Sequence, residues 1–93
     1  MSAYPRQEWA VPVVDAIGEA LRLLNRHQAE VRAEHHGLGD DIDARMVLDF
    51  LPSAFTYALL AVGNIPGNKT EAVGRLIVEG GLPADAALRE AGC

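Results

Sequence analysis

The chain has 93 residues and a formal charge of −5, with apolar residues at 49% of the total. The length accommodates one domain over residues 1–93 rather than two, and the acidic balance argues against a phosphate backbone as partner. Alanine and leucine dominate the apolar set, and the aromatics are only Tyr4, Trp9, Phe50, Phe55 and Tyr57, a composition that excludes wholesale disorder and favours helix over sheet.

Residues 1–9 read as a flexible N-terminal tail. Met1–Arg6 leads straight into Gln7 and Glu8 rather than an apolar run, so no signal peptide is expected. The first helix is predicted from about Val11 to Glu34, because Pro12 is tolerated in a first turn, where its missing N–H has no partner to lose. Val14, Ile17, Leu21, Leu24, Gln28 and Val31 recur at spacings of three and four, an a/d stripe with one polar member. Asp15, Glu19, Arg22, Arg26 and Glu30 occupy the other side. Such a stripe serves equally as a seam between two copies or as an internal core, and the pattern leaves both open. Gly37 and Gly39 stop the helix.

The second helix starts near Asp40–Asp43, where acids suit the N-terminal dipole and supply a cap. It runs to about Val62. Pro52 either kinks it or divides it, and the continuous, kinked form is the reading adopted. Apolar residues surround most of this helix, so it is expected to be buried on all sides, Phe50 and Phe55 included. The uncharged segment Phe50–Asn68 is broken by Pro52, Asn64, Pro66 and Gly67, and its apolar heart of about 14 residues falls short of a membrane span.

Gly63–Gly67 is a turn. Asn68 or Thr70 should cap a third helix ending at Gly80–Gly81. A fourth, short helix follows, with Pro83 in its first turn and Gly92 beyond its end. The fold class expected is therefore all-α: a small bundle of three to four helices with a long N-terminal helix.

No arrangement carries a recognisable chemistry. His35, His36, Asp40, Asp41 and Asp43 gather at one loop, with His27 nearby, but adjacent histidines point apart and the spacing fits no structural or catalytic zinc site. The aspartates stand where helix starts attract acids anyway. Ser2, Ser53 and Cys93 lack a positioned base, and the glycines match no phosphate or dinucleotide loop. No catalytic, cofactor-binding or metal-binding residue is assigned. The lone Cys93 excludes an internal disulfide and suits the reducing cytoplasm.

The C-terminal stretch from Arg75 through Leu-Ile-Val-Glu-Gly-Gly-Leu-Pro-Ala-Asp-Ala-Ala-Leu-Arg-Glu-Ala-Gly to Cys93 resembles the first half of a helix-turn-helix. The resemblance implies a nucleic-acid-associated regulator. The recognition helix that would read bases is missing after the turn, however, so direct DNA binding is not expected.

The short C-terminal helices offer too little surface to cover both the first-helix stripe and the apolar second helix. The expected function is accordingly binding. A small acidic cytoplasmic regulator of the inhibitor, anti-activator or adaptor type would mask a surface on a larger protein, such as a transcription factor, and a homodimer is expected. The residues assigned to partner binding or dimerisation are Val14, Ile17, Leu21, Leu24, Gln28, Val31, Tyr57 and Leu60. No enzyme activity, cofactor or membrane association is anticipated.

Overall fold

A computed structural model describes residues 7–37, 39–63 and 65–93. Among them every regular element is helical: α1 spans Ala10–Glu34, α2 Ile42–Val62, α3 Thr70–Val78 and α4 Ala84–Glu90, with a 3₁₀ turn at Gly67–Lys69 before α3. The small bundle with a long first helix is thus observed. Residues 1–6 of the expected tail lie outside the described residues, but Gln7–Trp9 form a turn that runs into α1, with the Ala10 N–H donating to the Gln7 carbonyl at 3.0 Å.

α1 and α2 make an antiparallel hairpin, and α3 and α4 pack on α1 much more than on α2. The molecule is consequently elongated, 52 Å by 22 Å by 21 Å. The buried core gathers Val14 and Leu21 of α1, Phe55, Leu59 and Val62 of α2, Val73 and Ile77 of α3, and Ala84 and Ala87 of α4. Gly18 sets the approach of α3: a Cβ there would lie 2.6 Å from the Ile77 Cγ2, inside van der Waals contact.

The helix ends explain the turns. α1 closes with the Gly37 N–H reaching back to the Arg32 carbonyl and the His36 N–H to that of Ala33. This is a Schellman arrangement whose left-handed position is His36, at φ 52°, not a glycine. α4 closes in the same way, with Gly92 at φ 81° and the Cys93 N–H on the Leu88 carbonyl at 2.8 Å. Asp41 caps α2, its Oδ1 accepting from the Ala44 N–H at 3.1 Å.

α3 departs from expectation. Neither Asn68 nor Thr70 caps it: Lys69 occupies the cap position without a side-chain bond to the helix, and the Thr70 hydroxyl turns back toward the Pro66 carbonyl. The preceding 3₁₀ turn has already taken up the chain entry that a capping side chain would otherwise fix. Pro83 stands one position before α4 rather than within its first turn.

α2 is continuous through Pro52. The expectation that it is buried on all sides is overturned. Phe55, Ala58, Leu59 and Val62 are buried, but Phe50 is 75% exposed. The reason is architectural, since α3 and α4 sit against α1 and leave the far side of α2 uncovered. Contrary to the short apolar stretch expected from Phe50–Asn68, α2 runs unbroken for 21 residues and, among the described residues, is the one helix long and apolar enough to cross a membrane by length and composition.

Candidate functional site

The first-helix stripe faces inward. Val14, Leu21 and Gln28 are buried within the chain, and Ile17, Leu24 and Val31 are half-buried against it. These residues line the hairpin seam and the contact with the C-terminal helices. Val14, Ile17 and Leu21 pack into the core shared with α2, α3 and α4 and Gln28 is buried, so these positions present no free face for a second copy, while Leu24 and Val31 keep part of their surface open. Tyr57 and Leu60, assigned to the same surface, lie apart from them, exposed on α2 at 73% and 57%.

Gln28 has a different task from setting register between partner helices. It is 3% exposed, and its amide grips the backbone of one residue at two points: Nε2 donates to the Asp41 carbonyl at 3.0 Å, and Oε1 accepts from the Asp41 N–H at 3.0 Å. The polar interruption in the stripe therefore satisfies the backbone of the α1–α2 loop. The loop is held twice more from α1. His27 Nε2 lies 2.9 Å from Asp41 Oδ2, and Arg32 Nε donates to Asp40 Oδ1 at 2.6 Å. The hydrogen bond from Arg32 holds the Asp40 carboxyl below the usual aspartate range, and those from His27 and the Ala44 N–H do the same for Asp41. The histidine–aspartate loop thus has a structural explanation. Among the described residues no group of three or more His, Cys, Asp or Glu side chains converges as a metal site would require, and His35 and His36 are exposed.

The segment that resembles a helix-turn-helix forms α3, the intervening turn and α4. Of its two arginines, Arg75 is engaged within the chain. Arg75 Nη2 donates to Glu71 Oε1 at 2.7 Å, and Lys69 Nζ, just upstream, donates to the Gly92 carbonyl at 3.2 Å. Arg22 of α1 donates to the Ile77 carbonyl near the end of α3.

Two further surface features stand out among the described residues. One is a groove of about 730 Å³ between α1, α2 and α3, floored by Leu21, Phe55 and Leu59 and walled on the α3 side by Gly74, Arg75 and Val78. Gly74 keeps that wall low, since a Cβ there would touch the Phe55 ring at 3.4 Å. The other is the outer face of α2. Ile42, Met46, Val47, Phe50, Tyr57 and Leu60 are all exposed, from 46% to 75%. At about 100° per residue they share a sector of about 140°. Its only polar members are Asp43 and Ser53. The face runs the length of the helix, roughly 27 Å from Ile42 to Leu60 at 1.5 Å per residue.

Sequence reasoning found two of these six residues. The periodicity placed the others in a core, because an apolar residue looks the same in sequence whether its neighbour lies in the same chain or in another. Comparison of the chain with protein-family models, with curated proteins and with solved structures finds no match.

Proposed function

We propose that this chain is a small protein-binding regulator, of the inhibitor, anti-activator or adaptor type, that works by packing the outer face of α2 against another polypeptide. One observation carries the reading: a continuous apolar face on α2 with Phe50 at 75% exposure and Tyr57 at 73%. Single exposed apolar side chains are ordinary, but a contiguous face of this size marks an interaction site. Met and aromatic residues along a helix are also the usual anchors of helix-mediated recognition. The chemistry on offer is burial and shape, not bond-making. The polar clusters at the loop and at the helix ends are consumed by the fold itself.

The test is a photoreactive amino acid at position 57, with the same residue at position 70 in the groove as comparison. Irradiation in the cells that make the protein should give polypeptide adducts from position 57. Adducts from position 70 alone, adducts to lipid alone, or none from either position would overturn the reading.

A further inference from the structure

The proposed reading leaves the polypeptide on α2 unspecified, and the inference here rests on that reading. We infer that the occupant is a second copy of this chain, docked through an antiparallel α2–α2 seam about a two-fold axis between Ser53 and Ala54.

The layout of the α2 face fits such a seam. Ser53 and Ala54 sit at its middle, while its large residues lie on both sides: Ile42, Met46, Val47 and Phe50 before them, Tyr57 and Leu60 after. Small residues at a helix crossing let two backbones approach closely. With the axis between positions 53 and 54, Phe50 of one copy meets Tyr57 of the other near the centre line of the face, a pair made twice. That reciprocal matching is what an isologous interface requires. Phe50 and Tyr57 are also the most exposed aromatics of the described residues, and aromatic anchors near the centre are where interface energy concentrates.

The charges of α2 fit the antiparallel direction. Asp43, Arg45 and Asp49 all precede Phe50, and the segment Phe50–Asn68 carries no charge. An antiparallel pairing lays the charged half of each α2 along the uncharged half of its partner. No like charges are opposed, although each chain carries −5. A parallel pairing would set Asp43 and Asp49 against their own images. The same acidity disfavours the other surface that takes up an apolar helix: an interfacial membrane helix relies on Lys and Arg against anionic headgroups, and α2 has only Arg45.

The face is also large enough. A large apolar side chain exposes on the order of 150–200 Å² when fully open. At the observed exposures the six residues offer roughly 600 Å² per copy and about 1,200 Å² for the pair, the range of a specific interface. The groove floored by Phe55 and Leu59 lies on another side of α2, because those residues fall well outside the sector of the face. It stays open in the pair.

Sedimentation velocity on the purified chain at about 10–100 µM should give a dimer. Phe50→Asp combined with Tyr57→Asp should give a monomer with an unchanged circular dichroism spectrum, because both positions are open in the single chain. Register is read separately. In a Cys93→Ser background, Ser53→Cys should form an intermolecular disulfide quickly on mild oxidation, whereas Ala33→Cys at the hairpin tip should not. A wild-type chain that stays monomeric at about 100 µM overturns the inference. So does a dimer that survives the Asp pair, or one that cross-links at position 33 and not at 53. Flotation as a monomer with phosphatidylcholine or phosphatidylglycerol vesicles overturns it in favour of a membrane surface. A monomer whose position-57 probe captures a different protein overturns the second copy while leaving the protein-binding reading standing. A monomer with no capture at all removes both.

Discussion

The carboxylate of Asp15, on the second turn of α1, accepts a hydrogen bond at 2.7 Å from the backbone N–H of Ala84, 69 residues further along the chain. Ala84 opens α4, and Pro83 before it has no side chain to cap with. A residue from another helix therefore does the work that Ser, Thr, Asp or Asn normally does from the cap position. Asp15→Ala should cost about 1 kcal/mol, the usual worth of a lost cap. Asp15→Asn should recover most of it, because the amide oxygen still accepts. Denaturant midpoints of the two variants check this, and equal losses would show that charge rather than the hydrogen bond is what matters.

Gln28 offers a sharper case. Removing its amide strands the Asp41 N–H, leaves the Asp41 carbonyl with the Arg45 N–H alone, and empties a buried position. Gln28→Ala should destabilise the chain by about 2–3 kcal/mol, the usual cost of stranding buried polar groups. Gln28→Glu keeps the size and the acceptor but sets a carboxylate oxygen against the Asp41 carbonyl. It should be weak at neutral pH and recover as acid protonates the introduced group. A Gln28→Ala loss under about 0.5 kcal/mol would mean that water replaces the amide without penalty.

Acid should loosen the same loop in the natural chain. Asp40 is held below the usual aspartate range chiefly by its hydrogen bond with Arg32, and Asp41 chiefly by that with His27. Each carboxyl therefore takes up its proton more readily in the unfolded chain. Its contribution is complete above the ordinary aspartate pKa and is lost as pH falls through the depressed folded value. Both pairs are open to solvent, so the effect is modest and screened by salt. Urea midpoints followed downward from neutral pH should show a decline that flattens when Asp40→Asn and Asp41→Asn are combined. An identical acid limb in that variant would assign the decline to other groups.

Two phenylalanines five positions apart should behave oppositely. Phe55 is 6% exposed and touches the core on several sides, so Phe55→Ala should cost about 3–5 kcal/mol. Phe50 is 75% exposed, and Phe50→Ala in the dissociated chain should stay within about 0.5 kcal/mol. Thermal melts at low concentration separate the two. A large loss at Phe50 there would place its ring in contacts within one chain.

That pair also shows what the sequence makes legible. Helix type and extent follow from periodicity and end signals: α1 begins one residue before the expected Val11, the acidic start of α2 falls where the residues demand, and α3 stops at Val78, two residues short of the expected Gly80. The Asp41 cap was readable because it is a local device. Asp15 on Ala84 and Gln28 on the Asp41 backbone were not, since both join residues that only the folded chain brings together. The face on α2 was half-visible. Tyr57 and Leu60 stood out, but Phe50 and Met46 looked like core, because hydrophobic patterning records that a residue is to be covered and not by what. His36 in a left-handed position had no signal at all, as the glycine beside it was the natural choice.

The lengthwise asymmetry of the bundle has a kinetic side. Near the start of α1, Asp15, Gly18 and Arg22 engage the C-terminal helices. Toward the tip the hairpin has only itself, and its buried residues thin out to Gln28 and Ala44. Opening the tip breaks few apolar contacts, whereas opening the base requires four helices to part. Amide protons of α1 beyond Leu24 and of α2 before Phe50 should therefore exchange through small local excursions, while those around Val14, Leu59 and Ile77 should wait for global unfolding. The chain would then behave as two cooperative units written along one continuous pair of helices, with the boundary falling in mid-helix and not at a loop.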